Sequence, residues 1–375
     1  MDALILSCGT GGGHNSAGFA VEEELKRRGH NVTTLNPFTL ADGGISAVID
    51  NTYISIAKNF PHLFGLIYNL GAGFSRLPIP SPVYLMNSRM SDLMEQYFRE
   101  NSYDIVVMSH LFPAEILTNM KRRGMEVPIT VFISTDYTCI PFTEEIDCDL
   151  YVIPADDLAD EYIRRGVPTE KIYPLGIPVK HAFSSGEERE SVRKRLGLDA
   201  GRRYILVSGG SMGAGRLELV VDILRRHYGD KNVTLIIVCG SNRRLYEKLS
   251  ETCGHDHIVL EHTDRMADYM LACDIFITKP GGLSSTEAAV SGTPVIHITP
   301  IPGCETYNMR FFESHGMSIA VPSPKRQLIS ACNTLDDDYA REKMVEDQHR
   351  FIHRDASFEI CDLIEGVVHD AHVSA

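Results

Sequence analysis

A chain of 375 residues with 43% hydrophobic and 23% charged residues has the composition of a soluble globular protein, and is long enough for two domains. Its net charge of −14 leaves no basic stripe for neutralising phosphates, which excludes a nucleic-acid partner. No apolar run approaches the roughly 20 residues of a membrane span, and ALIL at residues 3–6 is too short for a signal-peptide core.

The first predicted element is the strand-to-helix turn ALILSCGTGGGHNSAG, residues 3–18. A dinucleotide fingerprint would read G-x-G-x-x-G with an acid ending the next strand. Gly9 and Gly11 fit, but the third position is His14, and HNVTTLNPF ends in Asn36 without an acid. No G-K-[ST] follows either. What remains is a turn whose backbone N–H groups suit an anion, with an imidazole at the start of a helix.

Residues 51–91 carry no Asp or Glu, but hold Lys58, Arg76, Arg89 and many apolar side chains. In so acidic a chain this reads either as a helix pair packed in the first domain or as an apolar, mildly basic surface on a membrane. Further on, DIVVMSH, ITVFIST and DLYVIPA are strand-like, as are RRYILVSGG, VTLIIVCG, HIVLEHT, DIFITKPGG and TPVIHITP. Most are continuous apolar runs, the pattern of parallel strands covered on both faces, so the fold class is α/β throughout. The pattern restarts after KIYPLGIPVKHAF, which places a domain boundary near residues 176–183. The division expected is 1–178, 179–346 and a helical tail over 347–375, free to pack back on the first domain. Two doubly wound domains would present the carboxyl ends of both sheets to one cleft.

Nine cysteines show no C-x-x-C and no zinc spacing. Cys8, Cys139, Cys239 and Cys273 lie in or beside apolar runs, so reduced, buried thiols and a cytoplasmic location are expected. The DCD of Asp147 to Asp149 has the spelling of a metal-binding Asp-x-Asp, but it precedes a strand and reads as a solvated turn. No metal and no cofactor are expected.

The second half holds a denser pattern. DIFITKPGGLSSTEAAVSGTPVIHITPIPGCETYN, residues 274–308, is a strand, a Pro-Gly-Gly turn, a helix, a strand and a second Pro/Gly-rich loop. The helix start offers N–H groups and a dipole end to a diphosphate. Glu287, placed in its first turn, reads as an acceptor for ribose hydroxyls or as a simple helix cap. Glu305, Thr306 and Asn308 are of the kind that bind sugar hydroxyls. SGGSMGAG, residues 208–215, is a further glycine turn between strand and helix.

These motifs, GTGGGHNSA, Thr135-Asp136, PLGIPV, VCGSN, TKPGG-x-SSTEA and IPG-x-E-x-x-N, run in order along nearly the whole chain. They resemble the inverting glycosyltransferases that make glycolipids from diacylglycerol: the monogalactosyldiacylglycerol synthases and the processive diacylglycerol glucosyltransferases. More distantly the chain is similar to the N-acetylglucosaminyltransferase of peptidoglycan lipid-intermediate synthesis. The resemblance implies the GT-B fold, two Rossmann-like domains with the acceptor in the first and the UDP-sugar in the second. It implies donor contacts from Gly282, Ser284, Ser285 and Glu287, with His262, Arg265 and Met266 lining the base. Ser211 and Met212 would border the donor, and Glu305 and Asn308 would hold the hexose. Gly12 and Gly13 would approach the phosphates. Residues 51–91 would face the inner surface of the plasma membrane, making the protein peripheral. Cys304 stands where the family loop often reads Gly-Gln-Glu, and no His or Trp follows Thr135-Asp136 in YTCIPFTEEIDCD, so the hexose and the acceptor stay open.

Inverting transfer requires a base for the acceptor hydroxyl as it attacks the anomeric carbon. His14 suits the task, with Asp136 as its orienting partner or as the base itself. The expected activity is therefore hexose transfer from a UDP-sugar to a lipid, diacylglycerol first. A polyprenyl-linked or small-molecule acceptor, or a nucleotide-sugar epimerase of similar fold, stands as the alternative.

Overall fold

The computed structural model describes residues 1–8, 12–41, 82–211, 213, 216–229, 231–254 and 256–374 of the chain, with the side chains of 12 and 82–89 left aside. Gly9, Gly11, Met212 and residues 51–81 of the acid-free stretch lie outside the described residues.

The chain forms two compact units, 1–180 with 355–375, and 181–354. In the first, the strands β1 (Asp2–Leu6), β2 (Asn31–Leu35), β3 (Ile105–Met108), β4 (Ile129–Ile133), β5 (Leu150–Val152) and β6 (Ile172–Tyr173) pair in the order β2-β1-β3-β4-β5-β6, all parallel. In the second, β7 (Arg203–Ser208), β8 (Val233–Val238), β9 (Ile258–Leu260), β10 (Ile275–Thr278), β11 (Val295–Ile298) and β12 (Ile319–Val321) pair in the order β12-β11-β10-β7-β8-β9, again all parallel. The central strands β3, β8, β10 and β11 are buried along their whole length, which is what continuous apolar runs between two helical layers produce. The sequence pattern misses β6 and β12. Both are short edge strands, IY and IAV, only partly buried, so neither carries a readable apolar run.

In a doubly wound sheet, ligands bind where the strand order reverses. That point lies between β1 and β3 in the first unit and between β7 and β10 in the second. The described residues that follow these four strands are Ser7-Cys8, Ser109-His110, Gly209 to Ser211, and Lys279-Pro280-Gly281.

The last helix, Ala356–Ser374, belongs to the first unit and buries Ile360, Cys361 and Ile364 in one cluster with Val21 and Leu25. Arg28 ties the two helices through Glu24 (2.6 Å), Asp362 (2.6 Å) and Glu365 (2.7 Å). The preceding helix, Asp338–Phe351, runs through residue 347 and stays with the second unit. Helix Pro82–Glu100 covers the end of the acid-free stretch, and there Met90 and Ser91 are buried. Ser91 Oγ donates to the Ile116 carbonyl at 3.2 Å and to Asn119 Oδ1 at 3.0 Å.

All nine cysteines are free thiols, eight buried and Cys304 half-exposed. Burial pushes the thiols of Cys139, Cys148 and Cys361 up to about 12.

Candidate active site

His14 is the third residue of helix Gly12–Arg27, directly above the carboxyl end of β1. Two cross-braces hold that helix start. Asn15 accepts from the Cys8 amide (3.0 Å) and donates to the Cys8 carbonyl (2.6 Å), and Ser109 Oγ donates to the His14 carbonyl at 2.7 Å. Deeper in, a Cβ on Gly18 would stand 3.1 Å from Ile5 Cγ2, so the glycine lets the helix lie close on β1.

The His14 ring is half-buried, and its Nδ1 lies 2.5 Å from Thr135 Oγ1. Among the described residues no hydrogen bond is found at Nε2. Its ring forms a T-shaped pair with that of His110, 5.0 Å between centroids and 77° between planes. His110 caps helix Leu111–Arg122: its Nδ1 accepts from the Phe112 amide at 3.2 Å. Burial and the neighbouring His14 hold the His110 imidazole well below the usual histidine range, so it stays neutral.

The sequence offers Asp136 as the orienting partner of His14 or as the base itself. The structure gives the contact on Nδ1 to Thr135, one residue earlier, because the chain leaving β4 turns that hydroxyl toward the end of β1. Asp136 is itself buried, 8% exposed. Sequence reasoning missed His110. Its signal was available: a histidine at the end of an apolar strand and just before a helix, the N-cap position.

In the second unit the glycine turns interlock. Ser241 donates its amide to the Ser211 carbonyl at 2.9 Å, and Asn242 Nδ2 donates to the Gly213 carbonyl at 3.3 Å. A Cβ on Gly213 (φ 56°) would stand 2.0 Å from the Cys239 carbonyl oxygen, and one on Gly240 (φ 60°) would stand 2.5 Å from that of Ser211. Only glycine permits backbone to meet backbone there. Ser211 is exposed at the edge of this pair of turns.

Helix Gly282–Val290 starts beside them after β10. Its N-cap, Gly281, has no side chain to cap it, so the first N–H groups form an uncapped helix dipole end. Ser284 and Glu287 lie three residues apart on one half-exposed face. Glu287 is the sixth helical residue, so it sits in the second turn; the helix begins at Gly282, and an acid there is too far along to serve as a first-turn cap.

Two donor assignments need correction. Ser285 is fully buried; its Oγ donates to the Gly281 carbonyl at 2.8 Å and lies 2.9 Å from His297 Nε2. Its hydroxyl therefore braces the helix and does not reach a diphosphate. Asn308 is also fully buried, with Nδ2 on the Pro280 carbonyl at 3.0 Å, so it holds the Pro-Gly-Gly turn and not a hexose. Glu305 is committed on both oxygens, to Lys279 Nζ (2.8 Å) and the Ile301 amide (2.7 Å). It fastens the second Pro/Gly loop to the end of β10. His262 and Arg265 are exposed, Arg265 pairing with Asp268 at 2.9 Å, and Met266 is half-buried at the start of helix Met266–Ala272.

Asp149 of the DCD accepts from Lys121 Nζ (2.9 Å) and from the Thr130 amide (2.8 Å), and Asp147 pairs with Lys171 at 3.0 Å. These carboxylates are structural.

Two family models match the chain. The one described as Monogalactosyldiacylglycerol (MGDG) synthase matches residues 14–179, and the Glycosyltransferase family 28 C-terminal domain matches residues 204–359. The processive diacylglycerol beta-glucosyltransferase of Bacillus subtilis (strain 168) is 28% identical over 356 residues, covering 92% of this chain and 91% of its own. Among solved structures, Acinetobacter baumannii MurG shares the fold with a TM-score of 0.62 at 14% identity, over 97% of this chain and 99% of that one. The S. aureus MnaA–UDP structure has a TM-score of 0.65 at 12% identity, over 98% and 97%. The chain thus carries a monogalactosyldiacylglycerol synthase domain in its first unit and a glycosyltransferase family 28 C-terminal domain in its second, on the fold of GT-B enzymes such as MurG.

Proposed function

We propose that the protein is an inverting, UDP-sugar-dependent hexosyltransferase whose acceptor is a membrane lipid, diacylglycerol first. The observation that carries this reading is His14: a half-buried imidazole at the strand-order reversal of the first unit, with Nδ1 engaged by Thr135. With the Nδ1 proton donated to Thr135 Oγ1, the Nε2 lone pair takes the proton of the acceptor hydroxyl as it attacks the anomeric carbon. The bond from that carbon to the UDP oxygen breaks on the opposite face, and configuration inverts. The leaving diphosphate gains charge, which the uncapped N–H groups of helix Gly282–Val290 and its dipole stabilise. Glu287, on the half-exposed face of that helix, accepts from the ribose hydroxyls. The chemistry needs no metal, because these donors already supply the electrostatics.

Residues 51–91, which carry no acid, are assigned the contact with lipid on the cytoplasmic face of the membrane. Among the described residues no helix is long and apolar enough to cross a membrane.

The test is UDP release from purified protein given UDP-glucose, UDP-galactose or UDP-N-acetylglucosamine, with and without diacylglycerol in liposomes, and with EDTA. Release that needs one sugar and the lipid, and survives EDTA, is the expected result. Release without lipid sinks the lipid acceptor, and interconversion of the nucleotide sugar with no hexose transferred to any acceptor makes the protein an epimerase. Loss of release in EDTA overturns the metal-free mechanism.

A further inference from the structure

His110 is used by no step above, yet it is a half-buried titratable ring in contact with the proposed base. We propose that His110 is a positioning residue for His14: its ring, pinned by the helix it caps, forms the wall that keeps the His14 imidazole on Thr135 and leaves Nε2 to the acceptor. The inference rests on the reading of His14 as the base.

Three observations carry it. The Phe112 amide occupies His110 Nδ1 at 3.2 Å, which fixes the ring to the first turn of helix Leu111–Arg122 and makes Nε2 its protonated nitrogen. The ring is gripped on another side by Phe112, 4.7 Å between centroids, which in turn packs on buried Phe38 at 6.1 Å. Against this fixed wall the His14 ring packs in a T-shaped pair at 5.0 Å, an arrangement that aromatic rings favour over face-to-face stacking. Thr135 alone is one contact on a ring that rotates about two bonds. A hydrogen bond on one edge and a wall against the ring define one orientation. Among the described residues, the groups near His14 include His110 and Ser109 from the β3 end, Thr135 with the adjacent buried Asp136 from the β4 end, and Asn15 on its own helix.

The two jobs of His110 separate by substitution. His110→Asn keeps a capping acceptor for the Phe112 amide and removes the ring; His110→Phe keeps a flat ring and removes the cap. For the asparagine variant, kcat is expected to fall about 10- to 100-fold, the range a misplaced catalytic group costs, with melting temperature and UDP affinity held. For the phenylalanine variant, kcat is expected within about threefold of wild type, with melting lowered by a few degrees for the lost cap.

A second readout does not depend on turnover: the ¹⁵N shifts of the His14 ring in histidine-labelled protein. A single tautomer, Nδ1 protonated, is expected in wild type and His110→Phe, and averaged shifts in His110→Asn. Turnover kept in the asparagine variant, or lost equally in both, overturns the positioning role. Wild type that shows the single tautomer and its loss in His110→Asn, but no transfer to any lipid, would sink the transferase reading and leave the ring wall standing.

Discussion

The two strand-order reversals of this chain are built from the same parts and use them in opposite ways. At the first, the turn presents a side chain: His14 is held at Nδ1, and the residues around it, Ser109, His110 and Thr135, act on it or on its backbone. At the second, the turns present backbone: glycine meets glycine across the loops, a helix start is left uncapped, and the motif's polar side chains are spent on holding it so. A base must be one ionisable group in one orientation, whereas a diphosphate is bound well by several N–H dipoles at once. The comparison teaches that polar residues in a motif are as often braces as reagents.

The largest expected effect tests the first reversal. His14→Ala should lower kcat by roughly 10² to 10⁴ and leave UDP affinity nearly unchanged, read by steady-state kinetics and calorimetry with UDP. A large loss of UDP binding would move His14 to the donor side and erase the contrast.

The second reversal is tested by two substitutions that should behave unlike each other. Glu287→Ala is expected to weaken UDP binding by about 1.5 to 3 kcal/mol. Asn308→Ala empties a buried amide and strands the Pro280 carbonyl, so it should cost about 1 to 3 kcal/mol of stability first and UDP affinity only as a consequence. If Asn308→Ala instead keeps its stability and loses hexose discrimination, the asparagine is a reagent after all.

The smallest effect is a pH slope. Burial pushes the imidazole of His297 down to about 3, between Ser285 Oγ (2.9 Å) and Ser318 Oγ (3.0 Å). An unfolded histidine binds its proton near 6.5, so between about 6.5 and about 3 the unfolded chain holds a proton that the folded one refuses. This stability is complete above about pH 6.5 and is lost as pH falls, by up to about 1.4 kcal/mol per unit. Urea unfolding at pH 7, 6 and 5 should show a shallower slope for His297→Gln than for wild type. Equal slopes would mean that the carboxylates alone set the acid response.

Ten of the strands, both glycine turns of the second half and the uncapped helix were legible in the sequence, because apolar runs and glycine spacing are local signals. The family resemblance located His14, Glu287 and the Lys279-Pro280-Gly281 turn for the same reason: each stands in a short contiguous motif. Ser285 and Asn308 turned out buried and committed to the fold, and Thr135 and His110 went unnoticed. A motif states which residues are adjacent along the chain, and says nothing of who meets them in space.

The alternation of apolar strands with helices, and with it two parallel sheets, follows from the order of residues alone, since the pattern repeats within windows of a few residues. Which polar groups are consumed and which are left to react was decided only in the folded chain. Thr135 meets His14 from 121 positions away, and Ser109 reaches the same residue from 95. Such partners are set by strand order in the sheet, which brings the ends of β1, β3 and β4 together however far apart they lie in sequence.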